Sequence, residues 1–283
     1  MSDFRYERPS TVAQATALLA GGDARILAGG TDLMIALRTL PPPALLVDVK
    51  RIPELSAVTW TPAGELVLGA CVLVQRIADD PRIRETFTAL AEGAGAIGSL
   101  QIRSRATIAG NLANASPCMD TAPPLLVLGG RLRVAGPKGT REAPLSDFFL
   151  GVKQTALAPD ELVTAVVLPK PAPGLRSAFD KIKRVWGHDL ALVNAAAAYD
   201  PAAATVRVAI GSCAIRPVPV PALTGVEASA DGREVGERLA ALALEHIQPI
   251  DDVRASAEYR REMAALLCRR LAARLFGGAR RPS

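Results

Sequence analysis

Paired glycines at the end of a short apolar run constrain this chain more than any other feature. Arg25 to Ala28 reads as a strand, Gly29-Gly30-Thr31-Asp32 as a turn, and Leu33 to Leu40 has helical spacing until three prolines stop it. Ala44 to Val49 then reads as a second strand. Strand, glycine turn, helix and strand make a βαβ unit, whose strands should run parallel with a right-handed crossover. Such a turn leaves the first amides of the helix without internal partners. Paired glycines let an oxygen approach the backbone closely and the helix dipole adds positive potential, so a phosphate or pyrophosphate is a natural ligand. An ordinary turn with Thr31 or Asp32 as N-cap accounts for the same spacing equally well.

Upstream, Thr11 and Gln14 have capping-box spacing ahead of an alanine and leucine run that ends at Gly21-Gly22, which predicts a short helix. From residue 55 the texture changes. Ala57 to Trp60 and Glu65 to Cys71 read as strands around Pro62-Ala63-Gly64, followed by helical patterns over Val74 to Asp79 and Arg82 to about Gly98. Further strands are expected at Arg131 to Ala135, Thr140 to Ala143 and Glu161 to Leu168, and the cluster Pro169, Pro171, Pro173 and Gly174 is the best linker. Beyond it, Arg176 to Lys183, Leu190 to Tyr199 and Thr205 to Ser212 read as strands of one sheet, completed by helices near Glu234 to His246 and Asp251 to Phe276.

Composition excludes several classes. With 49% hydrophobic residues among 283, the chain can bury a sizeable core, yet only 4% are aromatic, so that core consists of small, closely packed side chains. The weakly polar stretch Ala106 to Gly130 is interrupted by Asn111, Asn114, Ser116, Pro117, Asp120, Pro123 and Pro124, and so is no membrane span. Met1 to Arg8 lacks the apolar core of a secretory signal, and a cytoplasmic location is expected. Cys71, Cys118, Cys213 and Cys268 lie about fifty residues or more apart with no CxxC pair, and only two histidines are present. All four are expected to be structural, with no metal or iron-sulfur ligation. The net charge of +5 and the run Arg254, Arg260, Arg261, Arg269, Arg270, Arg274, Arg280 and Arg281 raise nucleic acid as a partner. No aromatics interleave them, and Met263, Leu266, Leu267 and Leu271 have helical spacing, so an amphipathic helix with a solvated basic face is expected instead.

Gly93, Gly95 and Gly98 match GxGxxG, with Asp120 about twenty residues on. That fingerprint has to follow a strand and open a helix, whereas Phe87 to Glu92 already reads as helix, so the match is chance. Thr107 to Asp120 is a run of small and amide side chains within an apolar region. Its Asn, Ser and Thr groups need partners, which either a polar ligand or turns internal to the loop supply.

Ile26-Leu27-Ala28-Gly29-Gly30-Thr31-Asp32-Leu33-Met34, together with Thr107-Ile108-Ala109-Gly110-Asn111 and Ala115-Ser116-Pro117-Cys118-Met119-Asp120, resembles the FAD-binding medium subunit of the molybdenum hydroxylases, the xanthine dehydrogenase and carbon monoxide dehydrogenase family. Ala178 to Lys181, Asp189 to Val193 and Asp251 to Arg260 resemble later family segments, so the likeness covers nearly the whole chain. The resemblance implies an α+β fold: a two-part FAD-binding domain of the PCMH type over 1–172, with a small βαβ subdomain (about 1–54) and a larger mixed α+β subdomain (55–172), followed by an α+β domain with an antiparallel sheet over 173–283. It also implies that Ile26 to Leu33 wrap the FAD pyrophosphate, that Thr107 to Asn111 lie along the phosphates and ribityl chain, and that Asp120 binds a sugar hydroxyl. Ile97, Val163 and Lys181 match family positions near the isoalloxazine ring, where a cation stabilises the reduced flavin and tunes its potential.

The sequence departs from the family at Ala109-Gly110, where two glycines are usual, and at Val185, where arginine is frequent. Ala109 restricts the backbone if that position needs positive φ. The implied function is an oxidoreductase subunit that takes electrons from an iron-sulfur small subunit, itself fed by a molybdopterin-binding large subunit, and passes them through FAD to an external acceptor. A flavin-free structural subunit of the same fold, suggested by Ala109 and the basic C-terminal helix, is the rival reading.

Overall fold

The strands flanking the glycine turn do run parallel. In the computed structural model, which describes residues 4–277, β1 (Arg5–Glu7), α1 (Val12–Leu19), β2 (Ala24–Leu27), α2 (Leu33–Ala36) and β3 (Leu45–Asp48) form a three-stranded unit with β3 in the centre. β1 and β2 both pair with β3 in parallel. β1 is too short and too exposed to carry a signal in sequence. Thr11 caps α1 by accepting from the Gln14 amide at 3.2 Å, but Gln14 Oε1 accepts from the Ser10 amide and hydroxyl instead of closing the box on Thr11. α2 is a single turn, shorter than the expected Leu33 to Leu40. It buries none of its residues, so no packing offsets the cost of extending it towards Pro41.

β4 (Val58–Trp60) and β5 (Leu66–Gly69) open the second unit, and its helices follow: α3 (Val74–Asp79), α4 (Pro81–Thr86), α5 (Thr88–Gly95), α6 (Leu100–Arg103), α7 (Ile108–Ala113) and α8 (Ala122–Val127). The single helical pattern expected over Arg82 to Gly98 is broken at Phe87, whose backbone leaves the helical region (φ −126°, ψ 57°) so that its ring stacks on Trp60 at 5.8 Å. α6, α7 and α8 occupy a region that reads in sequence as loop, because amide, glycine and proline residues mask their short helical stretches. β6 (Arg131–Gly136) and β7 (Gly139–Pro144) precede the two-stranded hairpin of β8 (Phe149–Gly151) and β9 (Gln154–Thr155), and β10 (Leu162–Leu168) completes an antiparallel sheet of order β4-β5-β10-β6-β7.

β11 (Arg176–Ile182), β12 (Val193–Asp200), β13 (Thr205–Gly211), β14 (Val218–Pro219) and β15 (Leu223–Thr224) build the C-terminal antiparallel sheet, covered by α9 (Gly232–His246) and α10 (Ala257–Phe276). Both faces of this sheet are buried. Val193, Ala195, Ala197 and Tyr199 pack towards α9 and α10, while Phe179, Ala196, Ala198 and Ala209 join the core of the preceding unit. Four consecutive alanines in β12 therefore pack between two layers, which explains the abundance of small apolar residues.

α10 begins at Ala257 rather than Asp251. Asp251 accepts from the Ala257 amide, and Asp252 accepts from the Arg254 and Ala255 amides, so both aspartates organise the preceding loop. On α10 the expected basic face is exposed at Arg261, Arg269, Arg270 and Arg274, and Arg260 is the exception. Arg260 is 2% exposed and pairs with Asp252, Arg269 pairs with Glu237, Arg270 with Asp180, and Arg274 with Glu92. These arginines tie elements together, and Arg280 and Arg281 lie outside the described residues. All four cysteines are buried and free, and burial raises the Cys71 thiol to about 11 and those of Cys213 and Cys268 to about 12.

Candidate functional site

The turn after β2 is held open by its neighbour. A Cβ built on Gly29 would stand 2.2 Å from the Arg105 carbonyl oxygen and 3.0 Å from Ala106 Cα, so only glycine lets the two backbones meet. Gly30 has φ +76°, the left-handed conformation that glycine adopts without strain. Among the described residues, the amides of Gly29, Gly30, Thr31, Asp32 and Leu33 donate to no protein acceptor. Neither Thr31 nor Asp32 supplies a capping side chain. Asp32 Oδ1 instead accepts from Asn114 Nδ2 at 3.0 Å, and Asn114 Oδ1 accepts from Lys153 Nζ at 2.6 Å. An ordinary capped turn does not leave a row of five such donors, whereas an anion placed over it satisfies them.

The second segment is anchored differently. Thr107 caps α7, its Oγ1 accepting from the Gly110 amide at 3.2 Å. The amides of Ile108, Ala109 and Asn111 donate to Val72 O, Ala70 O and Thr107 O. The amides of residues 108–111 are thus satisfied within the protein, and the Thr107 amide finds no acceptor among the described residues. Asn111 Oδ1 accepts from Thr121 Oγ1 at 2.6 Å, while its Nδ2 finds no acceptor among the described residues. Ala109 sits inside α7 and is absent from the residues with positive φ, so replacing the usual glycine costs nothing here.

The third group joins residues from two halves of the chain. Lys181 Nζ donates to Asp120 Oδ2 at 2.7 Å and to Ala96 O at 3.2 Å, and both members of the ion pair are more than nine-tenths buried. Asn194 Nδ2 donates to Asp120 Oδ1 at 2.7 Å. Burial pushes the Asp120 carboxyl up, and the Lys181 ammonium and the Asn194 amide act against that push. Each Asp120 oxygen keeps a further lone pair, so any ligand hydroxyl there shares the carboxylate with these partners. Ile97 follows Ala96 directly, and its carbonyl accepts from Arg103 Nη1 at 2.9 Å. Val163 is buried in β10 opposite Val134, and no hydrogen bond or ion pair links it to Lys181. Val185 lies 57% exposed on the loop after β11, beside a fully exposed Trp186.

Arg103, Lys153 and Asn194 do not stand out in the sequence as site residues, whereas Asn114 lies within the polar run 107–120. Asn194 left one legible signal, a lone amide in an otherwise apolar strand. Gly93, Gly95 and Gly98 end a helix, and Gly93 packs on the Asp120 carbonyl, in keeping with the rejection of the dinucleotide fingerprint.

Residues 2–171 match the FAD-binding domain in molybdopterin dehydrogenase, and residues 177–275 match the CO dehydrogenase flavoprotein C-terminal domain. The chain belongs to the FAD-binding medium subunits of the molybdenum hydroxylases. It is 31% identical to the carbon monoxide dehydrogenase medium chain of Hydrogenophaga pseudoflava, covering 94% of this chain and 95% of that one. It is 32% identical to the caffeine dehydrogenase subunit beta of Pseudomonas sp. strain CBB1, covering 96% and 94%. The reconstituted CO dehydrogenase from Oligotropha carboxidovorans superposes with a TM-score of 0.90 at 31% identity, covering 98% of this chain and 99% of that one. This medium subunit is therefore an oxidoreductase subunit with FAD as its cofactor. Five amides of the Gly29 turn without a protein acceptor fit the hydrogen-bonding needs of the diphosphate of such a group.

Proposed function

We propose that this medium subunit is an electron relay: it receives electrons from iron-sulfur clusters on a small partner subunit, which a molybdopterin-binding large subunit supplies, and delivers them to an external acceptor. The observation that carries the cofactor placement is the row of free amides from Gly29 to Leu33. In this reading Ile26 to Leu33 wrap the pyrophosphate, and the free amides donate hydrogen bonds to its oxygens. Thr107, Ile108, Ala109 and Gly110 form the rigid wall beside it, and Asn111 donates its free Nδ2. Lys181, held by Asp120 and Ala96 O, presents its charge to the isoalloxazine ring, with Ile97 and Val163 as apolar neighbours. Bound FAD supplies the chemistry of accepting and releasing electrons.

The side chains supplied by this chain favour division of labour. Its four cysteines are buried, burial raises the thiols of Cys71, Cys213 and Cys268, and no three metal-ligating side chains converge among the described residues. Clusters and molybdenum then belong to other chains. The rival of a flavin-free subunit loses its grounds, because Ala109 is helical and Arg254, Arg260, Arg269, Arg270 and Arg274 are paired. A domain division at 172/173, with a further one near 54/55, and a cytoplasmic location belong to the same reading; among the described residues no helix is long and apolar enough to cross a membrane.

The test is reconstitution. The FAD-loaded subunit alone should turn over no aldehyde, purine, aromatic heterocycle or carbon monoxide, while a complex of all three chains should reduce a dye. Substrate-dependent flavin reduction by this chain alone, with no iron or molybdenum detectable, overturns the relay.

A further inference from the structure

Asn194 is a fully buried amide in a strand otherwise made of Val, Ala and Tyr. It stands in register opposite Lys181 on β11 and opposite Gly211 on β13, so Lys181, Asn194 and Gly211 form one row across three strands. Gly211 is bare of necessity: a Cβ there would stand 1.9 Å from Asn194 Oδ1. That Oδ1 finds no hydrogen-bond partner among the described residues. A buried acceptor without a partner is a recurring loss that the alanines along β12 avoid. The other half of the amide carries the compensation, donating to Asp120 Oδ1 at 2.7 Å and Met119 O at 3.1 Å. Both oxygens of Asp120 are thereby claimed, one by the Lys181 ammonium and one by Asn194.

We propose that Asn194 is a positioning residue that holds Asp120 as a carboxylate aimed at Lys181, and so sets the net charge that Lys181 presents to the flavin. The proposal rests on the placement of Lys181 beside the ring. Hydrogen bonds to a carboxylate favour its charged form, and burial opposes it. Without the Asn194 donor the carboxylate loses one of the hydrogen bonds that hold its charge and its orientation towards Lys181, the Lys181 ammonium is less fully compensated, and the negative charge that builds on a flavin receiving electrons is better stabilised. Asn194 therefore keeps the flavin potential low.

The experiment is a redox titration of the FAD-loaded full chain against a reference dye, following flavin absorbance, for the wild type, Asn194→Leu, Asp120→Asn and the double variant. Each single variant should raise the reduced-to-oxidised ratio at fixed potential at least tenfold, about 30 mV for a two-electron couple. The double variant should match Asp120→Asn alone. An unmoved potential in Asn194→Leu, or an equal further step in the Asp120→Asn background, overturns the proposal. Should Asn194→Leu not fold, Asn194→Ala carries the same expectation. Asp120→Asn leaves Asn194 in place, and an unchanged or lowered potential in that variant overturns the proposal by itself. A wild-type chain that takes up no FAD refutes the cofactor placement and this inference with it; normal uptake with unmoved variants refutes this inference alone.

Discussion

Gly29 lies directly against the carbonyl of Arg105, with 2.2 Å between that oxygen and the place a Cβ would occupy. The contact presses the glycine turn onto the chain ahead of α7, and any side chain at residue 29 has to part the two. Gly29→Ala should therefore lower FAD occupancy of the purified chain at least tenfold, read as the ratio of flavin to protein absorbance. Gly30→Val should do the same through its positive φ, where an L-residue costs roughly 1–2 kcal/mol and a β-branched one more. Wild-type occupancy in both would remove the turn from the site.

Lys181 and Asp120 form a buried pair, and removing one partner strands the other. Lys181→Met should cost about 3–5 kcal/mol in urea unfolding of the apoprotein, while Lys181→Met combined with Asp120→Leu should recover much of that loss. A single variant as stable as wild type would mean that solvent reaches the pair.

Asp252 gives a pH-dependent prediction. Burial opposes its charge, but the amides of Arg254 and Ala255 and the guanidiniums of Arg260 and Arg254 outweigh that and hold the carboxyl at about 2. In the unfolded chain an aspartate titrates near ~3.9. A depressed folded value means stability fully present above the unfolded value and lost as pH falls towards 2. Arg260→Met should raise the midpoint of acid unfolding, followed by far-UV circular dichroism. An unmoved midpoint would show that the amides alone hold the carboxylate.

Gly211→Ala should destabilise the apoprotein by about 1–3 kcal/mol, since its methyl group enters the space of Asn194 Oδ1. The same substitution at Gly22, where nothing lies within 4 Å of the added Cβ, meets no side chain and tests φ alone. Gly211 is absent from the glycines with positive φ, so wild-type stability in Gly211→Ala would mean that Asn194 gives way and its contact does not keep residue 211 bare.

Much of the fold was legible because short-range rules set it. Thr11 caps α1, Pro62-Ala63-Gly64 turns β4 into β5, and the short runs 131–135, 140–143 and 161–168 become the other three strands of the middle antiparallel sheet. The misses have a common cause. α2 stopped after one turn for want of anything to pack on, the helix expected through Phe87 broke to place a ring on Trp60, and β1 formed only because β3 was there to receive it.

The sequence by itself determined the βαβ start and the strands of the C-terminal sheet, since glycines and hydrophobic period act within a few residues, and its two spaced motifs carried the resemblance to the family. Tertiary structure alone decided which donors stayed free and which carboxylate was claimed. Asp120 meets Lys181 across 61 positions and Asn194 across 74, and Asp32 meets Asn114 across 82. No local propensity encodes such pairings. They arise when packed strands and turns bring distant side chains within bonding distance, where burial makes every unpaired polar group costly.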